Sequence, residues 1–479
     1  MKLGELCRAG RSPEAPLSVQ LPGGELLVSH WLRVLPGKRY VGQADWRGRQ
    51  VLAKLLVGRR AERQFRRERD GAGYLAAQGV TTPALLESGY RRDSGGWLLF
   101  DFLEGAQSLG SAWCAVSHER PLSTTQREVL TAALEMLGGL HSKGLWQDDL
   151  HLDNLLCHDG RQYLVDGAGV LAERPGQPLS RERVLANLGI FFAQLPAAFD
   201  PFVEELLQHY LQATAAHGLS LLDLQREILR VRNWRLRDYL RKTARDCSLF
   251  SVKRSPMGRC AVRREEAAAL QELLEDPDRF VAEGRVYKTG GSSTVVRIAF
   301  AGRQLIVKRY NIKGWFHRLR RCWRPSRAWR SWREANRLDF LGIATPRPLA
   351  VVERRCCGLR GQAYLVTEFL EGDDILAHFE PFLAGSPPSA ELAALEELFA
   401  SLLRERISHG DMKGHNLFWH EGKWALIDLD AMRQHRTRQG FSRAFARDRK
   451  RFLNNWPADS ALYRILDERL PRVPASTAR

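Results

Sequence analysis

"HGDMKGHNLF" (409–418) and "WQDDLHLDNLL" (146–156) are the stretches on which the reading of this chain turns. In each, an aspartate is followed five residues later by an asparagine: Asp411 and Asn416 in one, Asp149 and Asn154 in the other. Twelve residues beyond each asparagine comes a further aspartate, Asp428 in "ALIDLDA" and Asp166 in "YLVDGAG". An isolated Asp or Asn in a loop is ordinarily a turn or capping residue. Here three recur at fixed spacing, and all three are displaced by the same 262 residues.

Working outward, the landmarks keep coming in pairs and in order. "GRQVLAKLL" with Lys54 answers "GRQLIVKRY" with Lys308, and "GVTTPALLESG" answers "GIATPRPLAV". "WLLFDFLEG" answers "YLVTEFLEG", and "ANLGIFFAQLP" answers "RDRKRFLNNWP". The offset is 254 residues at the lysines and 267 at the FLEG glycines. Loop insertions produce drift of that size, so an internal duplication is expected. Each half runs from short β-like, branched-residue stretches to helical periodicity, as in "TAALEMLGGLHSKG" and "AALEELFASLLRERI". A strand-rich front and a helix-rich back, twice, makes an α+β chain. The expected division is 1–245, a linker and lead-in over 246–280 broken by Pro256 and Gly258, and 281–479.

Composition narrows the class. At 479 residues the chain exceeds one ordinary core. A net charge of +18 favours anionic partners, whether nucleotide phosphates or an acidic membrane surface. No nucleic-acid motif accompanies the charge. The eight cysteines are scattered without a C-x-x-C pair, which fits a reducing compartment. The first residues lack the apolar core of a signal peptide, and no apolar run approaches the roughly 20 residues of a membrane span. A cytoplasmic protein is expected, with a peripheral seat on a membrane open to it. The sequence does not set the oligomeric state.

The paired residues fit the demands of phosphoryl transfer, which is mostly positioning and charge stabilisation. Lys54 or Lys308, at the end of a strand, would hold the α- and β-phosphates of ATP. Glu68 or Glu334, on the helix that follows, would hold the lysine, with Glu62 a rival in the first half. Asp149 or Asp411 would accept the proton of the acceptor hydroxyl. Asn154 with Asp166, or Asn416 with Asp428, would bind Mg2+, which asks few oxygens of a protein when phosphates supply the rest. Lys413 would neutralise charge on the moving phosphoryl; His151 takes its place in the first half. Gly290 and Gly291 in "VYKTGGSSTVVRIAF" would let backbone amides approach phosphates; a plain hairpin turn is the other reading. His409 reads as a prop for the loop. In "NIKGWFHRLRRCWRPSRAWRSWRE" (311–334) seven arginines alternate with four tryptophans. An anionic-headgroup surface and a solvated helix face stay equally open there.

Strand lysine, helix glutamate, Asp/Asn loop and second Asp together resemble the protein-kinase-like superfamily. "HGD" and "IDLD" look closer to its small-molecule branch, such as aminoglycoside and choline kinases, than to H-R-D and D-F-G. The run "LIVKRYNIKGWFHRLRRCWRPSRAWRSWREANRLDFLGIATPRPLAV", with "FLEG" and "HGDMKGHNLF" after it, is similar to the lipopolysaccharide kinase (Kdo/heptose kinase) family over most of 285–457. The first half resembles it over roughly 35–196. The resemblance implies two tandem bilobal kinase-like domains and ATP-dependent phosphorylation of a heptose or Kdo hydroxyl of the lipopolysaccharide inner core. The expected acceptor is that core or a lipid-linked sugar, met at the cytoplasmic face of the inner membrane. A protein or small-molecule acceptor is one rival; a nucleotide-binding pseudokinase scaffold in one or both halves is the other.

Overall fold

The structure, a computed structural model, describes residues 1–214, 217–290, 292–311, 326–356 and 359–473. Gly291 and residues 312–325 of the arginine–tryptophan segment lie outside them. The chain divides into two compact units, Met1–Asn233 and Trp234–Arg479.

Unit one begins with β1 (Leu17–Leu21), β2 (Gly24–Leu35), β3 (Arg39–Trp46) and β4 (Arg49–Leu56). Helix α1 (Ala61–Ala77), β5 (Leu85–Arg91) and β6 (Gly95–Asp101) follow. The six strands form one antiparallel sheet in the order β1-β2-β3-β4-β6-β5. Successive side chains of a strand point to opposite faces. In β4, Val51, Ala53 and Leu55 enter the core on one face, while Leu56 packs with Phe65 and Ala72 of α1 on the other. That alternation turns Lys54 toward the helix. Behind the sheet, α2 (Thr124–Ser142) is capped by the Ser123 hydroxyl on the Gln126 amide. It packs with α3 (Arg181–Phe192) and α4 (Val203–Ala213) around Leu130, Leu134, Leu137, Phe191 and Leu206. Each such fully buried side chain contributes ~1.5–3 kcal/mol.

Unit two repeats these local rules on a longer sheet. Its strands are β7 (Phe250–Ser255), β8 (Gly258–Arg263), β9 (Arg285–Lys288), β10 (Ser293–Phe300), β11 (Arg303–Tyr310), β12 (Pro348–Cys356) and β13 (Leu359–Glu368). They pair antiparallel in the order β7-β8-β12-β13-β11-β10-β9. In β11, Leu305 and Val307 face one core, and Tyr310 faces Ala328 and Trp332 of α5 (Arg327–Phe340) in another. The back holds α6 (Ser389–Arg404), α7 (Arg438–Leu453) and α8 (Ala461–Arg469) around Leu395, Phe399, Phe445, Phe452 and Leu462. Both units are therefore α+β and bilobal, with a small antiparallel-sheet lobe over a mostly helical one. The two lysines hold the same register: Val41–Lys54–Leu98 in unit one and Val295–Lys308–Leu365 in unit two.

The expected linker over 246–280 needs correction. The structural division falls at Asn233/Trp234, and residues 250–263 form the β7–β8 hairpin, paired to β12 through Ala261–Val351 and Val262–Ala350. Phe250, Ala261 and Val262 are buried there. Lysine and arginine between the apolar positions disguise the strand alternation, and Pro256 and Gly258 belong to the hairpin's turn rather than to a tether. Residues 271–275 and 277–283 are short helices.

Candidate active site

In unit one, Lys54 is buried on β4 and meets two carboxylates. Its Nζ donates to Glu68 Oε2 at 2.7 Å and to Asp166 Oδ1 at 3.1 Å. Burial alone would lower the ammonium's pKa; the Glu68 and Asp166 charges more than reverse this and hold it above the ordinary lysine value. Asp166 is desolvated too, yet Lys54 and then Arg39 hold it below the usual carboxylate range. Glu62, the rival to Glu68, pairs instead with Arg66 at the surface.

In unit two, Lys308 Nζ lies 2.6 Å from Asp428 Oδ1. Here the structure corrects one expectation: Glu334 does not hold this lysine. It bonds Arg337 through Oε2 at 2.7 Å. The second carboxylate at Lys308 is Asp430, whose Oδ2 is 3.4 Å away. The reason is helical register. Gly79 and Gly342 end the two helices with positive φ. Glu68 lies eleven residues before Gly79, and the residue eleven before Gly342 is Ser331. Glu334 is one turn further on, at the position of Gly71, which packs on the Gly167 backbone in unit one. Ser331 donates to Asp430 Oδ1 at 2.5 Å and Tyr310 donates to the same oxygen at 2.7 Å; Arg327 closes the ring. Burial opposes the charge on Asp430, and Lys308 first among its neighbours holds its pKa below the usual range. Burial and the adjacent Asp430 raise the Tyr310 phenol well above its ordinary value, keeping it a donor. The carboxylate is thus supplied by the helix in one unit and by the loop in the other, where unit one has Ala168.

The Asp/Asn loops are braced alike. Asn154 Nδ2 donates to the Asp149 carbonyl and Asn416 Nδ2 to the Asp411 carbonyl, both at 2.8 Å. Each amide oxygen is thereby left as the atom that can face a cation. The loops are tied to the next strand by Val165 N to Asn154 O and by Ile427 N to Asn416 O. His409 is fully buried and bonds the Ile427 carbonyl at 2.9 Å; Gln147 holds the Val165 carbonyl in its stead. These braces keep Asp166 and Asp428 in the left-handed region, at φ 69° and 56°. Such a conformation costs a non-glycine residue ~1–3 kcal/mol and recurs at functional sites.

The candidate bases differ. Asp411 is paired with Arg451 at 2.6 Å and Lys413 at 3.5 Å, its side chain 30% exposed. The Asp149 side chain is 77% exposed and meets His151 at 2.9 Å. Beneath Asp411, buried Asp448 accepts from the His409 and Gly410 amides at 2.6 and 3.0 Å; in unit one Asn187 donates to the Gln147 carbonyl. Asp448, Asp430, Arg451 and Arg39 were not singled out from sequence. Asp430 had a signal, the second carboxylate of "DLD", and Asp448 lies under Asn187 in the paired "RDRKRFLNNWP" and "ANLGIFFAQLP". The Gly290 carbonyl accepts from Asn311.

In unit two the residues that would hold a divalent cation are Asp428, whose Oδ1 meets Lys308, and Asn416, whose backbone carbonyl accepts from the Ile427 amide next to Asp428. Among the described residues no group of three or more His, Cys, Asp or Glu could hold a metal unaided, so phosphate oxygens would have to complete the shell.

Residues 271–455 match the family described as lipopolysaccharide kinase (Kdo/WaaP) family. No curated protein sequence matches the chain. Among solved structures, one of WaaP in complex with acyl carrier protein is similar at 17% identity and a TM-score of 0.33, over 43% of this chain and 86% of that one. Another, of WbdD with a kinase inhibitor, is similar at 16% identity and a TM-score of 0.29, over 44% of this chain and 47% of that one. The family match covers less than half of the chain, includes Lys308, Asp411, Asn416 and Asp428, and supports reading the protein as a kinase.

Proposed function

We propose that unit two transfers the γ-phosphoryl of ATP to a heptose or Kdo hydroxyl of the lipopolysaccharide inner core, at the cytoplasmic face of the inner membrane. The observation that carries this is the Lys308–Asp428 contact, set beside the Asp411–Asn416 loop within the family-matched stretch. Lys308 holds the α- and β-phosphates, and Asp430 fixes the lysine. Asp411 accepts the hydroxyl proton as the oxygen attacks the γ-phosphorus and the β–γ bridging oxygen leaves with ADP, within a loop fixed from below by Asp448. Lys413 and Arg451 add positive charge beside that path. Magnesium, held by Asn416 and Asp428, would neutralise phosphate oxygens. Gly290, with Gly291 beyond the described residues, would cover the phosphates. The paired landmarks support duplication of one domain as the origin of both units. Among the described residues no helix is long and apolar enough to cross a membrane.

The test is purified protein with labelled ATP, magnesium and dephosphorylated core lipid. Label in the lipid, lost in Asp411→Ala, is expected. Label on protein alone would move the acceptor to a side chain, and no label anywhere would leave a binding scaffold.

A further inference from the structure

We propose that unit one binds a nucleoside polyphosphate with Arg39 standing where a divalent cation would sit, and that it binds without transfer. Arg39 opens β3 opposite Leu56, two residues from the Val41–Lys54 pair, so its side chain lies on the face of the sheet that carries Lys54. Its Nη1 is 3.5 Å from Glu68 Oε1 and 3.9 Å from Asp166 Oδ1. Lys54 holds the same Asp166 oxygen. Lys54 and Arg39 already balance the two carboxylates, Glu68 and Asp166, so a dication at Asp166 would add uncompensated positive charge to a part-buried site. The Asn154/Asp166 pair, expected from sequence as metal ligands, does not fit a metal in this setting.

The same arrangement does fit phosphate. Arg39 Nε is buried without a hydrogen-bond partner among the described residues, and a guanidinium edge matches phosphate oxygens in bidentate fashion. The turn before it offers little backbone: the Lys38 amide bonds the Leu35 carbonyl, the Gly37 amide bonds the Tyr40 hydroxyl, and the Lys38 carbonyl accepts from Val57. A side-chain cation has replaced a backbone cradle. At the same register in unit two stands Ser293, neutral and small, which leaves Asp428 to its lysine. The transfer machinery is thinner as well. Asp149 is largely exposed, and Ile190 occupies the place of Arg451.

The experiment uses the full chain carrying Lys308→Met, which removes the phosphate clamp of unit two, with ATP titrated calorimetrically in EDTA and in excess magnesium. One saturable site in EDTA is expected, its affinity changed less than about twofold by magnesium. Adding Arg39→Ser should weaken binding in EDTA by about tenfold or more, and magnesium should then restore part of it. Arg39→Lys, which keeps the charge, should retain intermediate affinity and serves if the serine variant melts early without ligand. Binding that requires magnesium in the Arg39 chain, no binding in either buffer, or an Arg39→Ser chain that binds unchanged would each overturn the proposal. None of these readouts depends on phosphate transfer by unit two.

Discussion

In unit one the lysine's second carboxylate comes from the helix, as Glu68 on α1; in unit two it comes from the loop, as Asp430, to which the helix contributes the Ser331 hydroxyl and Arg327. Two differences separate the units at this point, Glu68 against Ser331 and Ala168 against Asp430, and each makes sense only with the other. A buried ammonium needs an anion at hydrogen-bond distance. Both units place that anion beside the lysine, from different positions in the chain. The surroundings diverge in step: unit one adds Arg39 to the cluster, whereas unit two spends Arg327, Tyr310 and Ser331 on holding Asp430. A shared contact is thus a different matter from a shared residue, and the units are best compared atom by atom.

The strongest way to break this comparison is at the bases. Asp411→Ala should lower phosphate transfer to core lipid by about 10²–10⁴-fold, the usual worth of a general base. Asp149→Ala should change it less than about twofold in the same assay. Equal losses would mean that the units act together on one reaction. The next test moves the carboxylate. Asp430→Ala should reduce kcat/KM for ATP by about 10–100-fold through a misplaced Lys308. Ser331→Glu in that background, which rebuilds the helix arrangement of unit one, should recover most of the loss. If the double variant is no better than the single one, Asp430 does more than position the lysine.

Part of the candidate site was legible because its landmarks recur in the same order in both halves, although the contacts themselves are long-range: Lys54 meets Glu68 and Asp166, and Lys308 meets Asp428. Glu334 misled because residue type was favoured over register: counting back from the helix-ending glycines leads to Ser331, and a shift of three residues is nearly a full turn. Arg39 could not be read at all, since only pairing of β3 with β4 carries it to a cluster spread over Lys54, Glu68 and Asp166. The β7–β8 hairpin was hidden by composition. Its strands hold Phe250, Val252, Ala261 and Val262 beside Lys253, Arg254, Arg259 and Arg263, and basic, Pro/Gly-broken stretches read as linkers until an edge strand is there to receive them.

Acid separates the units by a smaller amount. His141 in unit one is buried between the Tyr210 hydroxyl and Asn187, and burial pushes its pKa down to about 4 from 6.5. The unfolded chain takes up that proton first. The stability His141 contributes is therefore full above pH 6.5 and drains as pH falls toward 4. By pH 5 unit one should have lost about 2 kcal/mol on this account. Asp448, in the position of Asn187, has the opposite sign: burial raises its pKa, so its contribution is present at low pH and lost as pH rises through that value. Amide exchange should show protection in α2 falling between pH 7 and 5 ahead of protection in α6, once the intrinsic pH dependence is removed. Parallel loss in both helices would place the acid response elsewhere.

The smallest expected effect is at Glu334. Its carboxylate faces Arg337, which also reaches Gln434, and both charged side chains are buried. Glu334→Gln keeps the shape and one acceptor but removes the charge that balances Arg337, so it should cost about 1–3 kcal/mol of stability. Activity per folded molecule should stay within about twofold of the parent, because nothing at Lys308 changes. The contrast with Asp430→Ala then separates the two carboxylates by what they hold. A loss at Glu334→Gln as deep as that at Asp430→Ala would mean that α5 turns on binding nucleotide and brings Glu334 to Lys308. The helix would then supply the anion in both units during turnover, and the exchange between Glu68 and Asp430 would describe only the state without ligand.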